Sequence, residues 1–424
     1  MDGLPPHHHR PHPRFRPPLH TLPLPFPLLL LPPLLLFIAT LTTHITTLLH
    51  DPNIPFLLSQ CHAHARLPLL TTSPLLPDFV STPLCFLTTL LQTAAGSASA
   101  SASGSGSGAG AGSGSPETAS LRAGATLAPI LAAIAALVTI TTLESARVCN
   151  TPARLLKHPT ALWAVFQLLG GPAMGALVWQ VGFVPAFLRR GRGVVVERNG
   201  GRLGDHHHHP VLGDGMGMGM GMMGMRHVRV RAEGWAVPVA VGVGFVVPAV
   251  VMLVVDSAVA VGVWLLFPVW VSVVRRVVRG LVVVVLGREK WGGSVHLERS
   301  WSAVVGVYAV PVLCSVLAHA YLVWSLTQPD DRREMTRSTL KLITTDAFFL
   351  GLTVLYWVFM EAGWRAALVM VGISAALGPG AGICAAWIYR ERAVDLDRSV
   401  TVVAVGSRRP SEDADPSEQT PLLR

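Results

Sequence analysis

Ionisable side chains set inside apolar runs are the residues of this sequence best placed to do chemistry. A charged group in the hydrocarbon costs about 3 kcal/mol on insertion scales, so each needs a reason to be there. Glu144 closes one apolar run with Arg147 one turn on, a spacing at which the two can hydrogen-bond along a helix face and seal the helix end as an interfacial ion pair. Asp346 opens another run, about a turn inside it, and its nearest cation in sequence is Lys341, five residues back. That setting suits either a carboxylate meeting a helix dipole or a carboxylic acid kept protonated by desolvation. His319 falls mid-run in Cys314–Trp324 and suits a buried imidazole with an internal hydrogen bond. Asp256 fits a surface turn between two runs, and Glu361 and Arg365 fit a solvated tight loop.

Other patterns carry less chemistry. Asp330-Asp331-Arg332-Arg333-Glu334 has the DDxxE form of a magnesium-diphosphate site, but it lies in a polar loop and has no companion triad. His206–His209 and the GMGMGMGMMGM tract of Gly215–Met225 offer imidazole and thioether ligands of the kind copper takes, and read more simply as a repeat expansion in a loop. Cys61, Cys85, Cys149, Cys314 and Cys384 are scattered without a CxxC pair, so neither a disulfide framework nor a zinc site is expected. No GxSxG elbow or P-loop occurs. No metal site and no cofactor is expected.

The elements that must hold these residues follow from composition. Of 424 residues, 51% are hydrophobic and 13% charged, with a mean hydropathy of +0.50. A soluble domain carries about 25% charged residues, so this chain cannot cover itself with a charged surface and lipid must be its solvent. The formal charge of +9 comes almost wholly from arginine placed between apolar runs, which fits anchoring against anionic headgroups and not nucleic-acid binding. Apolar runs long enough to cross occur near Leu28–Leu49, Thr126–Leu143, Leu162–Leu188, Trp235–Val255, Ala258–Val274, Ser302–Leu326, Ile343–Met360 and Ala366–Tyr389. Phe79–Leu91 is too short and reads as a re-entrant or interfacial helix. The expected fold is all-α, a polytopic transmembrane helical bundle of about seven to eight spans.

The organisation expected is a Pro/His/Arg-rich disordered head over 1–25, a first span and interfacial segment over 26–93, an Ala/Gly/Ser-rich linker over 94–125, the bundle over 126–391 with a low-complexity loop at 189–234, and a disordered tail over 392–424. The basic loops Arg189–Arg231 and Arg275–Arg299 are both expected in the cytosol. Counting spans forward from the second loop puts the tail on the far side. Arg390, Arg392 and the dileucine-like Glu418–Leu423 sequence point instead to the cytosol. The span count is the weightier of the two indications.

The ordered local patterns resemble the fungal membrane-bound terpene cyclases of the ascofuranone and macrophorin type. Pro77-Asp78-Phe79 followed by Leu84-Cys85-Phe86-Leu87 and Gln92 is similar to that family's first stretch, and Leu143–Arg147 to its Glu-x-x-Arg element. Pro159 with Gln167 and Pro172, Pro248 with Trp264–Pro268, His319-Ala320-Tyr321, Asp346, and Gly378-Pro379-Gly380-Ala381 ending in Trp387 and Arg390-Glu391 resemble its later elements, in order, over roughly Phe26–Glu391. The Ala/Gly/Ser and His/Met inserts, and Asp256-Ser257 in the central pair, depart from that pattern.

The resemblance implies an enzyme of an internal membrane such as the endoplasmic reticulum. It would cyclise a prenylated substrate by acid-initiated, metal-independent carbocation chemistry, with the bilayer and that hydrophobic substrate as partners. It implies an acid among Asp346, Asp78 and Glu144; Asp346 is the expected proton donor, then Asp78, while Arg147 lowers the pKa of Glu144, which keeps it ionised and suits it to orienting other groups. His319, Tyr321, Trp264, Gln167 and Arg147 would line the substrate. The alternative is a multispanning transporter or channel.

Overall fold

The computed structural model describes residues 26–62, 78–96, 120–147, 158–169, 228, 230–255, 257–293 and 300–406. Among them the chain is helical, with one isolated bridge, Arg147 to Val228. The helices are α1 (Phe26–His50), α2 (Asn53–His62), α3 (Asp78–Ala94), α4 (Leu121–Ala146), α5 (Pro159–Leu169), α6 (Glu233–Val254), α7 (Ala258–Leu265), α8 (Phe267–Leu286), α9 (Arg288–Trp291), α10 (Trp301–Ser325), α11 (Glu334–Ala362), α12 (Trp364–Leu377) and α13 (Pro379–Gly406). The low-complexity tracts at 206–209 and 215–225, Asp256, and the head lie outside the described residues. Helix α13 runs on to Gly406, past Glu391, where the sequence places the start of the tail.

Four helices, α4, α6, α10 and α11, are long and apolar enough to cross a membrane, and α7 with α8, bent by 58°, make a fifth if counted as one. The protein is a membrane protein. Helix α4 is the central post: its apolar face is all but fully buried, because Ala and Gly positions let α10 and α13 approach closely. Leucines and valines that a soluble protein would bury, such as Leu313, Leu317 and Leu368, each 61% exposed, face outward from the bundle.

The run Ala366–Tyr389, expected as one span, is a helical hairpin. The chain leaves α11 at Gly363 and climbs α12. It turns at Gly378, where φ is +94°, a conformation glycine tolerates at little cost. A Cβ there would stand 2.9 Å from the carbonyl oxygen of Ser315, midway along α10. Ser315 Oγ also accepts from the Ala381 amide at 2.9 Å and donates to the Leu377 carbonyl at 3.3 Å, which satisfies the polar tip. Helix α13 then descends until Arg390 meets Glu361, in the last turn of α11, at 2.6 Å. Both arms therefore start and finish at one end of the bundle. Fourteen residues of α12 reach about 21 Å, short of a crossing of about 30 Å.

That end is also the basic end. Ser145, Arg147, Val228, Glu233, Arg275 and Arg390 meet there, while Asp51, Ser338, Ser120 and Asp331 meet at the other. Thr160 pairs with Ser272 near the basic end, and of the run Leu162–Leu188, expected as one span, only the part up to Leu169 lies within the described residues. A reporter glycosylation sequon placed beyond Gly406 is expected to stay unmodified, like one placed at 287–293, whereas one at 327–330 is expected to be glycosylated. Modification beyond Gly406 would contradict the hairpin.

The cysteines need a correction. Cys61 and Cys85 form a disulfide, with Cα atoms 5.9 Å apart, because α2 and α3 pack side by side. A separation of 24 residues carries no pattern from which to read this. Disulfides persist away from the reducing cytosol, which agrees with a cytosolic basic end.

Candidate functional site

Aromatic side chains converge where α5, α6, α7 and α8 meet. Helix α6 carries one π turn, Gly242–Val246, which advances the register and turns Phe245 inward. Gly244 lets α6 touch α8: a Cβ there would lie 2.7 Å from the Val271 amide. Phe245 meets Phe267 edge-on at 4.8 Å and Trp264 at 6.1 Å between ring centres. Trp264 meets Phe267 at 5.6 Å, and Trp163 meets Phe267 at 5.8 Å and Phe166 at 5.0 Å. Trp163 donates its indole N–H to Thr141 at 3.0 Å. Trp264 Nε1 and Gln167 Nε2, in contrast, are buried donors with no acceptor among the described residues. An unmet buried donor costs about 1–3 kcal/mol, so two in one apolar region need an explanation.

Asp346 stands elsewhere. It is the thirteenth residue of α11, well inside the helix, which removes a helix-capping role. The expectation that Asp346 lacks a close cationic partner is also corrected: His44 Nε2 of α1 lies 2.8 Å from its Oδ1, and both are partly exposed. An imidazole nitrogen and a carboxyl oxygen at that distance form one hydrogen bond, its direction set by the tautomer of the ring.

Glu144 belongs to a buried network at the basic end. Arg390 Nη1 donates to Glu144 Oε1 at 2.8 Å, Trp387 Nε1 to the same oxygen at 3.2 Å, and Arg390 Nη2 to Glu361. Arg147 donates to Glu391 at 2.7 Å and lies 3.4 Å from Glu144. Arg390 also packs over the Trp387 ring at 4.8 Å. The Glu144–Arg147 pair is thus a core element, where an interfacial bridge is expected from the sequence. Glu361, expected in a solvated loop, is one of its walls. Only Arg365 stays outside, lying over Trp364.

The structure scatters the other named residues. Tyr321 donates to the Leu121 carbonyl at 3.3 Å and stacks on Trp324, at the end away from Glu144. His319 is half-buried beside the hairpin turn at Gly378. Asp78 is the first residue of α3, and its side chain lies outside the described residues. Glu144 and Asp346 therefore stand apart, whereas Trp264 belongs to the aromatic region and Gln167 lies one turn beyond Trp163 on α5.

The Asp330–Glu334 loop does structural work. Asp331 accepts from Ser120 Oγ and the Leu121 amide, both at 2.8 Å, and so caps α4. Asp330 is bidentate to Arg332 and meets Arg337 at 3.2 Å, and the Arg332 guanidinium holds its carboxyl well below the usual carboxylate range.

No family model, no curated protein and no solved structure matches this chain.

Proposed function

We propose that this protein is a membrane-embedded isoprenoid cyclase of an internal membrane, acting on a prenyl chain carried by an aromatic or quinone-like core. The observation that carries this reading is the aromatic region with its two unmet donors. Ring faces stabilise a migrating carbocation by cation–π attraction, and an oily substrate reaches such a wall from the bilayer. The Trp264 and Gln167 N–H groups, which find no acceptor among the described residues, would take the oxygens of the substrate head. Asp346, with His44, would supply the proton that opens a terminal epoxide or saturates an alkene carbon; since that pair stands on α1 and α11, apart from the aromatic region of α5–α8, the reading requires the prenyl chain to extend from one to the other. The cation formed is attacked by the next double bond, and a final proton loss returns what was added, so the product is an isomer of the substrate.

In architecture the reading is six crossings (α1, α4, α6, the α7–α8 pair, α10 and α11), with the α12–α13 hairpin entering and leaving at the basic end.

The substitution Gln167→Leu separates a substrate contact from a packing role. Replacing an unmet donor by an apolar group of similar shape should leave the melting temperature unchanged or raise it. Loss of one substrate hydrogen bond should raise KM about tenfold. A raised melting temperature with an unchanged KM would remove Gln167 from the site.

A transporter reading has one observation of its own, the broken hairpin with its tip midway along the bundle, a device of ion-coupled transporters. Substrate-independent ion flux in proteoliposomes would favour it.

A further inference from the structure

Glu418-Gln419-Thr420-Pro421-Leu422-Leu423 has the ExxxLL form of an acidic dileucine signal, which can be read only from the cytosol. These six residues lie outside the described ones, but the helix that leads to them does not. Arg390 fixes α13 to Glu361 and Glu144 at the basic end. Just beyond, the Arg392 guanidinium lies 3.8 Å from the centre of the Trp301 ring. Trp301 is the first residue of α10 and is exposed, a tryptophan where a span meets the interface. From there α13 stays helical to Gly406, which carries the chain about 22 Å past Glu391. With α12 and α13 forming a hairpin, the span count no longer opposes a cytosolic tail.

The opposite end of the bundle agrees. Helix α2, which carries Cys61 of the disulfide, begins there, next to Asp51 and its partner Ser338. An oxidised pair on a helix of that side, and arginine on the other, put the basic end and the chain beyond Gly406 in the cytosol. Between Ser407 and Arg424, Leu422 and Leu423 are the only large apolar side chains, and Glu412, Asp413, Asp415 and Glu418 precede them. A carboxylate followed at a fixed spacing by two adjacent leucines is a compact recognition unit. The leucines fill apolar pockets, and the carboxylate meets a cation beside them.

We infer that Glu418–Leu423 docks on a cytosolic coat adaptor, a protein that presents two leucine pockets beside a basic patch and loads membrane proteins into transport vesicles. The leucine pair supplies most of the affinity, and Glu418 with the acids before it steers the encounter. The spacing is part of the recognition, because Glu418, Leu422 and Leu423 must reach their sites on the partner together. The protein is thereby carried from its membrane of synthesis to a later compartment of the endomembrane system. This inference is independent of the cyclase reading, since it uses none of that site's residues.

The test measures binding of the full-length protein, in phosphatidylcholine nanodiscs, to purified cores of the heterotetrameric clathrin adaptors. At least one core is expected to bind the parent. Replacing both leucines, Leu422→Ala with Leu423→Ala, should weaken that binding at least about tenfold, since two leucine burials are lost. Deleting Thr420 alters the spacing alone and should weaken it as much, whereas Thr420→Ala should leave it unchanged. None of these changes touches a described residue, so the melting temperature should stay at the parent's value. In cells the tagged leucine variant should leave the compartment that the parent occupies. Binding of the parent no tighter than that of the leucine variant, binding unaffected by the Thr420 deletion, or an identical cellular distribution of the two overturns the inference. Protection of the tail from protease in sealed microsomes would place it in the lumen and overturn it too.

Discussion

Replacing Arg390 by Gln is expected to lower the unfolding free energy by about 3–5 kcal/mol, the cost of leaving buried carboxylates without their cation. Its guanidinium lies between Glu144 at 2.8 Å and Glu361 at 2.6 Å, with Glu391 at 3.4 Å, and is 7% exposed. It also ties the hairpin arm α13 to α4 and α11, so its loss frees a whole element. Arg390→Lys keeps the charge but cannot fork between two carboxylates, and should fall between the two. Thermal melting in detergent, with Arg365→Gln as an exposed control, reads this directly. A melting curve for Arg390→Gln that overlays the parent's would show that the network does not hold the hairpin.

The second large effect concerns chemistry. Asp346→Asn keeps the shape of the side chain and can still hydrogen-bond to His44, but it removes the acid. Turnover of a prenylated substrate should fall about 10²–10⁴-fold, the usual contribution of a positioned general acid. The pair is partly exposed, with side-chain exposures of 28% and 29%, so the melting temperature should change little. His44→Phe should lower turnover as well, since the imidazole holds the carboxyl in place by its hydrogen bond. If Asp346→Asn retains parental turnover while inserted in the membrane, Asp346 is not the donor, and Asp78→Asn becomes the next test.

Most of the helices were legible because apolar runs of about 20 residues have little other use. The hairpin departs from the single span expected there, although the sequence carries its signal. Gly378 and Pro379 sit in the middle of Ala366–Tyr389, and each arm alone is too short to cross. A single closing span there conflicts with Arg390 and Arg392 over the side of the tail, whereas a hairpin does not. His44 was equally visible, as an ionisable group inside the first apolar run, under the same criterion that singles out His319. The Cys61–Cys85 link and the joining of Glu361 to Glu144 through Arg390 depend on which helices are neighbours. No local spacing encodes that. Trp264 and Gln167 were named from the resemblance alone, and their unmet donors are a property that only packing creates.

The central claim is cyclisation of a prenyl chain. Microsomes containing this protein, incubated with a prenylated aromatic and with its terminal epoxide, should convert one of them to a cyclic product of identical mass, and microsomes carrying Asp346→Asn should not. Recovery of both substrates unchanged with correctly inserted parent protein, or equal conversion by the Asp346→Asn membranes, would contradict the account.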